Sequence, residues 1–283
     1  MIMLVDKLRA RTRLEYGEPA ARTLIMGVLN VTPDSFSDGG RYAEPGSAVD
    51  HAQSMIQDGA DIIDVGGESS RPGAEPLSPQ AEWTRVDTVL KALATTEACV
   101  SIDTYHAETA RRALELGARI VNDVTALRGD ARMAEVVASA CCECVLMHMQ
   151  GTPQTMQQNP RYQDVIDEIS AFFEERLSFA VRAGIDEDAL WLDPGFGFGK
   201  TPHHNLEILR RLGEFKKFGR PLLVGTSNKG TIGAVLGTPV KERREGNAAT
   251  VAIAIANGAD CLRVHDVRAM TRVARMTDAV VHQ

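Results

Sequence analysis

The sequence predicts an α/β protein folded as a single (β/α)8 barrel, the TIM architecture, with an N-terminal capping segment. Short apolar segments alternate along the chain with amphipathic segments of helical length. A similar phrase joins a helix to a strand at residues 58–65, 116–124 and 257–267, each time with Gly-Ala near its start. The glycine is typical of the position just past a helix end, and the branched residues after it are typical of a buried strand.

The elements are predicted in order from these two kinds of segment. Runs of apolar residues predict strands at 24–29, 62–65, 100–102, 119–121, 144–147, 190–192, 221–224 and 261–264. Apolar residues at helical spacing predict helices at 47–58, 79–94, 106–116, 131–139, 163–183, 203–212, 229–236, 243–257 and 266–281. Eight strand–helix pairs in a chain of 283 residues fit a closed barrel better than an open sheet.

The domain organisation follows from the absence of a linker. Residues 1–22 precede the first strand and are expected to cap the bottom of the barrel, and residues 23–283 form the barrel itself. The alternative is an open Rossmann-like sheet, which needs a G-x-G-x-x-G fingerprint after its first strand. Residues 30–40 form a long polar loop there instead, and the glycines of 195–199 have the wrong spacing.

Composition limits the possible partners. Lys and Arg number 31 against 38 Asp and Glu, a net charge of −7, which argues against attraction to nucleic acid or a membrane surface through bulk charge. No apolar run approaches the ~20 residues of a membrane span, and the charged N-terminus does not resemble a signal peptide, so we expect a cytoplasmic protein. The cysteines are odd in number, and most are expected to act as small hydrophobes. A zinc site at Cys141, Cys142, Cys144 and His148 is a weaker alternative.

Polar side chains follow every predicted strand. In a barrel of this kind the active site lies at the carboxyl ends of the strands, so these residues are candidates for one shared mouth. A polar residue at one such position often only caps a helix, but capping does not readily explain eight in succession. The candidates are Asn30, residues 66–71, Asp103, Asn122, His148 with Gln150, Asp193, Ser227 with Lys229, and Arg263 with His265.

The charges of these candidates indicate a ligand with two chemical parts. Buried Asp103, Asn122 and Asp193 need hydrogen-bond partners, which a ligand with several N–H donors would supply. Arg263, His265 and Asn30 come from the neighbouring last and first strands and would form a pocket for phosphate or pyrophosphate. The alternatives are that Asp103 caps the next helix, that Asp193 only precedes a turn, and that Arg263 and His265 form structural ion pairs.

Two polar loops, residues 31–45 and 67–78, are long enough to cover the mouth. Both contain Gly and Pro beside charged residues such as Asp38 and Arg71. This composition suits loops that close over a substrate and exclude water.

The sequence closely resembles the dihydropteroate synthase family of folate biosynthesis. The matching stretches occur in the order of the family's motifs and cover about residues 24–281. They are Met26 to Gly40, Gly66 to Gly73, Ser101 to Thr104, Asn122-Asp123, Met147 to Gly151, Asp193 to Lys200 and Arg263 to Val267.

The resemblance implies a role for each matched residue. The pterin ring would be held by Asp103, Asn122, Asp193 and Lys229, with Met147 and Phe198 lining its slot. The pyrophosphate would be held by Asn30, Arg263 and His265, with Mg2+ and with Asn30 as a metal ligand. The p-aminobenzoate site, the sulfonamide target of the family, would be built by Phe36, Asp38, Ser70, Arg71 and Pro72. The catalytic set would be Asp38, Asp103, Lys229, Arg263 and His265.

The implied reaction is transfer of a pterin group. It would join 6-hydroxymethyl-7,8-dihydropterin diphosphate to p-aminobenzoate, giving dihydropteroate and pyrophosphate, in a homodimer formed through the late helices. The sequence departs from the family pattern where Ser-Arg-Lys-Ser is usual, since it reads Ser227-Asn228-Lys229-Gly230. Ser70 stands in place of threonine, and Gln154 replaces a frequent basic residue.

Two other functions remain open at this point. One is a methyltetrahydrofolate methyltransferase-like barrel, which shares the pterin pocket but has no use for a pyrophosphate pocket. The other is a non-catalytic pterin binder, which the departures at Asn228 and Gly230 suggest. The histidines at 51, 106, 203, 204 and 282 have no chemical partner visible in the sequence and are expected at the surface or at helix caps.

Overall fold

The architecture is a closed parallel barrel surrounded by helices. The computed structural model describes Leu4 and residues 22–31, 45–69 and 73–282. In that part of the chain the strands are β1 (Leu24–Asn30), β2 (Ile62–Gly66), β3 (Cys99–Asp103), β4 (Ile120–Asp123), β5 (Glu143–Met147), β6 (Leu190–Asp193), β7 (Leu223–Val224) and β8 (Cys261–Val264). Their order is β6-β5-β4-β3-β2-β1-β8-β7, and a parallel bridge between Leu192 and Leu222 joins the two ends of the sheet.

The helices alternate with the strands as the sequence predicts. They are α1 (Pro45–Gln57), α2 (Pro79–Leu93), α3 (Ala107–Glu115), α4 (Met133–Ala140), α5 (Val165–Arg182), α6 (Pro202–Arg210), α7 (Gly230–Leu236), α8 (Arg244–Ala256) and α9 (Val267–Val281). Short 3-10 segments lie at Glu187–Ala189, Leu212–Phe218 and Val240–Glu242. The predicted barrel is therefore confirmed, and the open Rossmann-like sheet is excluded.

Local sequence signals set the element boundaries. The glycines of the recurring joint, Gly59, Gly117 and Gly258, have φ values of 103°, 100° and 97°. Only glycine adopts such values freely, so each marks the end of a helix. Ser78 accepts a hydrogen bond from the Ala81 backbone at the start of α2, and Asp164 does the same for Ile166 at the start of α5.

The inside of the barrel contains an apolar plug near the amino ends of the strands. Alternate residues of each strand point inward, and those of the lower layers form one buried cluster. The cluster contains Leu24, Met26, Ile62, Cys99, Ile120, Val145, Trp191, Leu223 and Cys261. Because this plug fills the barrel bottom, the next inward positions toward the carboxyl ends are the ones that reach the mouth.

Several predictions fall on residues outside the described part of the chain. The N-terminal cap at 1–22 is one, although Leu4 packs against the interior cluster and its backbone N–H donates to Glu143 Oε1 at 3.1 Å. Most of the loop 31–45 and residues 70–72 are others. The division into a cap and a barrel at residue 22 therefore remains a prediction.

The cysteines behave as the sequence predicts. Cys99, Cys142, Cys144 and Cys261 are buried thiols, and Cys141 is exposed. The described residues contain no cluster of three or more His, Cys, Asp or Glu side chains that could hold a metal ion, so the zinc alternative has no support there. Within the same residues, no helix is long and apolar enough to cross a membrane.

Trp191 tests the contribution of the plug. Its side chain is fully buried, and its indole N–H donates to the Glu143 carboxylate. We expect Trp191→Ala to lower the free energy of unfolding by about 3–5 kcal/mol because it leaves a large cavity. Urea denaturation measures this loss. Val181→Ala, at a side chain 44% exposed, is the control and should change stability by less than about 0.5 kcal/mol; equal losses would contradict the assignment.

Candidate active site

The mouth is organised by the register of the first four strands. Asn30 pairs with Gly66, Gly66 with Asp103, and Asp103 with Asn122. These residues therefore lie at one level of the rim. Gly66 leaves open space there, because a Cβ atom at this position would lie 3.6 Å from both Asn30 Oδ1 and Asp103 Oδ2. The sequence correctly predicts that Asn30, Asp103 and Asn122 meet.

Arg263 forms the charged centre of the mouth. Its Nε donates to Asp64 Oδ2 at 2.6 Å, and its Nη2 donates to Asp103 Oδ2 at 2.6 Å. Asn122 donates to the same Asp64 oxygen at 3.1 Å. Among the described residues, none accepts a hydrogen bond from Nη1. Arg263 thus forms the ion pairs that the sequence leaves as an alternative, through Nε and Nη2.

Asp64 is the residue that sequence reasoning missed. Its carboxylate is fully buried, and Oδ1 has no hydrogen-bond partner among the described residues. Strand alternation contains the signal, since residues 62, 64 and 66 share the inward face of β2. The apolar neighbours hide it, because Asp64 lies in the middle of a strand rather than at its end.

Burial and neighbouring charges set the ionisation of the mouth. Burial raises the pKa of Asp103 to about 7, with Arg263 opposing the rise and the charges of Asp64 and Glu82 adding to it. Burial and the Arg263 charge lower the pKa of Lys229 to about 8, although Asp193 and Asp103 act in the opposite direction. Both groups therefore change charge close to neutral pH. This is typical of functional sites.

Asp193 and Lys229 complete the polar side of the slot. Burial raises the pKa of Asp193, whose Oδ1 accepts a 2.7 Å hydrogen bond from the Gly195 backbone N–H. Asp193 therefore does stabilise the following turn, and the charges of Lys229 and Arg263 also act on it. Asp103 does not cap a helix. The N-cap residue of α3 is His106, and the Asp103 carboxylate accepts a hydrogen bond from Arg263.

The apolar side of the slot is a cluster of methionines and one phenylalanine. Lys229 Nζ lies 4.0 Å from the centre of the Phe198 ring, a cation–π distance that fixes the lysine over the ring. The cluster comprises Val124, Met147, Met149, Met156 and Phe198, with Tyr105 packed against it.

His265 and Ser227 lie on the other side of Arg263. His265 is exposed, and its Nδ1 lies 3.0 Å from the hydroxyl of buried Ser227, which also accepts from the His265 backbone N–H. Gly225 lies close to Arg263, since a Cβ atom on it would be 3.5 Å from the arginine Cβ. Arg263 lies in β8, and His265 follows it by two positions, directly after the strand ends. Both residues therefore lie at the mouth.

The sequence suggests His148 and Gln150 as candidates for the mouth, but in the structure both side chains have other partners. Burial and the charge of Lys200 lower the pKa of His148 well below its usual value, so the ring is neutral. Lys200 Nζ lies 3.0 Å from His148 Nδ1 and donates to Gly195 O, Phe198 O and His148 O at 3.0, 2.9 and 3.3 Å. Gln150 is exposed and donates to Arg161 O. Lys200 therefore holds the loop that carries Phe198.

The substitution of asparagine at position 228 has a structural explanation. Asn228 has φ of 58°, a value that asparagine tolerates better than most residues. Its backbone N–H donates to Asn247 Oδ1 at 2.9 Å, and its side-chain oxygen accepts from Asn247 Nδ2 at 3.0 Å. Arg243 donates to the carbonyl oxygens of Asn228 and Lys229 at 3.0 and 3.3 Å. These contacts hold the loop that carries Lys229.

Two of the histidines lie at helix starts, as the sequence predicts. His204 takes part in a capping box with Thr201 at the start of α6. His106 is the N-cap residue of α3, but its side chain is only 13% exposed and has a partner that the sequence does not show, since Nε2 lies 3.4 Å from Glu68 Oε2. The carboxylate beside it belongs to a residue 38 positions away, and a local sequence pattern does not reveal a pairing over that distance. Phe36, Asp38, Ser70, Arg71 and Pro72 lie outside the described residues.

The described mouth offers few oxygen ligands for a divalent cation. Asn30 contributes one amide oxygen at the rim. Mg2+ usually keeps several waters and takes other ligands from substrate phosphates, so one or two protein oxygens suffice. The residues present therefore fit a cation that enters with a diphosphate.

The comparisons with known proteins agree on one family. A family model described as a pterin binding enzyme matches residues 26–265. The dihydropteroate synthase of Escherichia coli strain K12 is 46% identical over 258 residues, 91% of this chain and 91% of that protein. The Clostridium difficile dihydropteroate synthase, solved in the presence of pteroic acid, has a TM-score of 0.87 at 44% identity, over 96% of this chain and 100% of that one. The Xanthomonas albilineans dihydropteroate synthase with 4-aminobenzoic acid has a TM-score of 0.85 at 41% identity, over 92% and 93% of the two chains.

Lys200 gives a stability test of the slot. We expect Lys200→Met to lower the free energy of unfolding by about 3 kcal/mol or more, because it leaves several buried acceptors without a donor. Lys91→Met is the matched control, since Lys91 is 61% exposed and forms only a surface ion pair with Asp87. Denaturation curves compare the two variants. If Lys200→Met were no worse than Lys91→Met, Lys200 would not support the loop.

Proposed function

Because the chain belongs to the dihydropteroate synthase family of pterin-binding enzymes, we propose that it joins 6-hydroxymethyl-7,8-dihydropterin diphosphate to p-aminobenzoate. The products are 7,8-dihydropteroate and pyrophosphate. The observation that carries the proposal is the single mouth in which Arg263 bonds Asp103 while Asp193, Asn122 and Lys229 surround it. Two related structures support this proposal, one solved in the presence of pteroic acid and one with 4-aminobenzoic acid.

The pterin ring would bind between polar and apolar walls. Its ring N–H and amino groups would donate to Asp103 and Asp193, with Asn122 and Lys229 at its edges. Met147 and Phe198 would cover its faces, and their burial at 3% and 8% keeps this wall away from water. Buried carboxylates gain most from such donors, since their hydrogen bonds are strengthened where water is excluded.

The diphosphate would lie beside Arg263. The Nη1 nitrogen, together with His265 and Asn30, would bind its oxygens. Two donors of Arg263 are already fixed by Asp64 and Asp103, so the guanidinium is oriented before the substrate arrives. Such preorganised charge stabilises a leaving group without further rearrangement.

The reaction would be a substitution at the methylene carbon of the pterin. The bond from that carbon to the diphosphate oxygen breaks, and the electron pair leaves with pyrophosphate. The amine nitrogen of p-aminobenzoate forms the new bond to carbon and loses one proton. Positive character that spreads from the methylene carbon into the ring would be stabilised by the ionised carboxylates of Asp103 and Asp193, in keeping with a dissociative path.

A Mg2+ ion is proposed to enter with the diphosphate, with Asn30 as its protein ligand. When bound, it would offset charge on the leaving pyrophosphate. The p-aminobenzoate site is proposed at Phe36, Asp38, Ser70, Arg71 and Pro72, as the family resemblance implies.

The two other functions are less well supported. A methyltransferase-like barrel has no use for an arginine aimed at a diphosphate. A non-catalytic binder was suggested by Asn228 and Gly230, but Asn228 has a structural role in holding Lys229, which removes much of that argument.

Assembly and location remain proposals. We expect a homodimer through the late helices, supported by exposed apolar side chains on α8 and α9: Ile253, Met276 and Val280. Part of α8 faces the core, with Val251, Ala254 and Ile255 buried. The predictions of a cytoplasmic location, and of no nucleic-acid or membrane partner, rest on the sequence.

The proposed function is tested by pyrophosphate release. The purified protein should release pyrophosphate only when the pterin diphosphate, p-aminobenzoate and Mg2+ are all present, and dihydropteroate should form in equal amount. A methyltransferase or a non-catalytic binder would release none. Absence of pyrophosphate with the folded protein would therefore contradict the proposal.

Activity should depend on pH with a narrow optimum. The profile of kcat/KM for the pterin substrate should fall below about pH 7 as Asp103 is protonated, and above about pH 8 as Lys229 loses its charge. Asp64→Asn should move the acidic limb about one pH unit lower, because it removes a negative charge that raises the pKa of Asp103. An acidic limb that stays in place in this variant would contradict the assignment to Asp103.

Arg263→Lys separates charge from geometry. It keeps a cation but loses the fork that bonds Asp64 and Asp103, so turnover should fall about 100-fold or more. Lysine is preferred to alanine, because removing one partner of a buried ion pair costs about 3–5 kcal/mol of stability. Arg268→Lys, at a side chain 68% exposed, is the control and should retain full turnover. Near-normal turnover in the Arg263 variant would refute the role.

A further inference from the structure

A buried cluster lies where the loop after β2 begins and ends. Glu68 is the second residue of that loop, and its Oε2 accepts from the backbone N–H of Leu77 near the loop's other end at 3.2 Å. Its Oε1 accepts from the Tyr105 hydroxyl, and His106 Nε2 lies 3.4 Å from Oε2. One carboxylate thus connects both ends of the loop to the segment after β3.

The surroundings of this cluster exclude water. The side chains of His106 and Glu68 are 13% and 11% exposed. Glu82 on α2 is 1% exposed and accepts from Thr104 Oγ1 at 2.8 Å, while the same Thr104 oxygen accepts from the His106 backbone N–H at 3.0 Å. The start of the loop is held by Arg85, which donates to Gly67 O at 2.9 Å.

The charges within the cluster reinforce one another. Burial alone would raise the pKa of Glu68, but the His106 imidazole beside it and the hydrogen bonds from Tyr105 and Leu77 lower it overall. Burial alone would lower the pKa of His106, yet the adjacent carboxylate of Glu68 and the charge of Glu82 raise it. Glu68 and Glu82 are the charged groups that act on His106 among the described residues, and the Tyr105 ring centre lies 4.4 Å from the centre of the imidazole. The two shifts favour a charged His106 beside an ionised Glu68.

We propose that Glu68, Tyr105 and His106 are positioning residues that fix the described ends of the loop after β2, residues 67–69 and 73–78, and thereby set the affinity for p-aminobenzoate. This inference rests on the proposed function, in which Ser70, Arg71 and Pro72 of the same loop bind that substrate. The cluster touches neither substrate. It acts by fixing the two ends of the loop that contains the proposed binding residues. This lowers the free-energy cost of ordering that loop when p-aminobenzoate binds.

Among the described residues, Glu68 and His106 form no hydrogen bond with Asp103, Asn122 or Asp193. Glu82, by contrast, acts on Asp103 through its charge and is not a suitable position for the test. Tyr105 also packs against the slot cluster of Met147 and Phe198, so its replacement would affect both substrates. Glu68 and His106 are therefore the residues whose variants separate the two substrates.

The experiment compares steady-state constants for Glu68→Gln, His106→Asn and the unchanged enzyme. Glu108→Gln is the matched control, since Glu108 lies on α3 near His106 and, within the described part of the chain, forms ion pairs with Arg111 and Arg112 alone. We expect the KM for p-aminobenzoate to rise about tenfold in Glu68→Gln, because this variant loses one charge-assisted contact. In His106→Asn the KM should rise by a smaller factor. The KM for the pterin diphosphate should stay within about twofold in both variants.

The pH dependence gives a second readout that a purely structural role would not move. The raised pKa of His106 means that its contribution is present at low pH and is lost as pH rises through that value. The KM for p-aminobenzoate should therefore rise with pH in the unchanged enzyme and should be flat over that range in His106→Asn.

The outcomes distinguish this inference from the proposed function. If the unchanged enzyme releases no pyrophosphate, the proposed function fails and this inference with it. If the enzyme is active but the KM for p-aminobenzoate is unchanged in both variants, or both KM values rise equally, only the inference is overturned. His106→Asn leaves Glu68 in place, so it supplies the result if Glu68→Gln does not fold.

Discussion

The ion pairs of Arg263 with Asp64 and Asp103 are the constraint on which the mouth depends. They join β8 to β2 and β3 inside the barrel, at the level where the apolar plug ends. Taking charges out of water is costly unless they are paired, and removing Arg263 would leave two buried carboxylates without their cation. The arrangement therefore fixes where the rim residues point. Burial raises the pKa of Asp103 toward neutrality, and the Arg263 charge limits that rise while the Asp64 charge adds to it.

The same arginine connects the two halves of the proposed substrate. In the proposed complex, Asp103 would link Arg263 to the ring pocket, and the Nη1 nitrogen of Arg263 would bind the diphosphate. Around this centre lies a layer of supporting contacts that touches no substrate. Lys200 holds the loop of Phe198, and Asn247 with Arg243 holds the loop of Lys229. A barrel with its site on loops needs such supports, because loops alone do not hold side chains to within the required tolerance.

The sequence predicts most of the fold because its signals are local. Gly59, Gly117 and Gly258 mark helix ends through their backbone alone, and the apolar runs mark the strands whatever their partners. The rim residues Asn30, Asp103 and Asn122 are also predictable, since barrel geometry places strand ends together. Asp64 and His106 are not, because their importance lies in pairing with residues far away in the chain. Lys200 belongs to a motif that the sequence shows, but its four partners depend on how two loops meet.

A crystal structure of the complex with 6-hydroxymethyl-7,8-dihydropterin diphosphate would test the central claim most directly. We expect the ring to contact Asp103, Asn122 and Asp193, and the diphosphate to lie within hydrogen-bond distance of Arg263 Nη1, while Nε still contacts Asp64. A ring bound elsewhere, or a diphosphate that Arg263 does not touch, would contradict it.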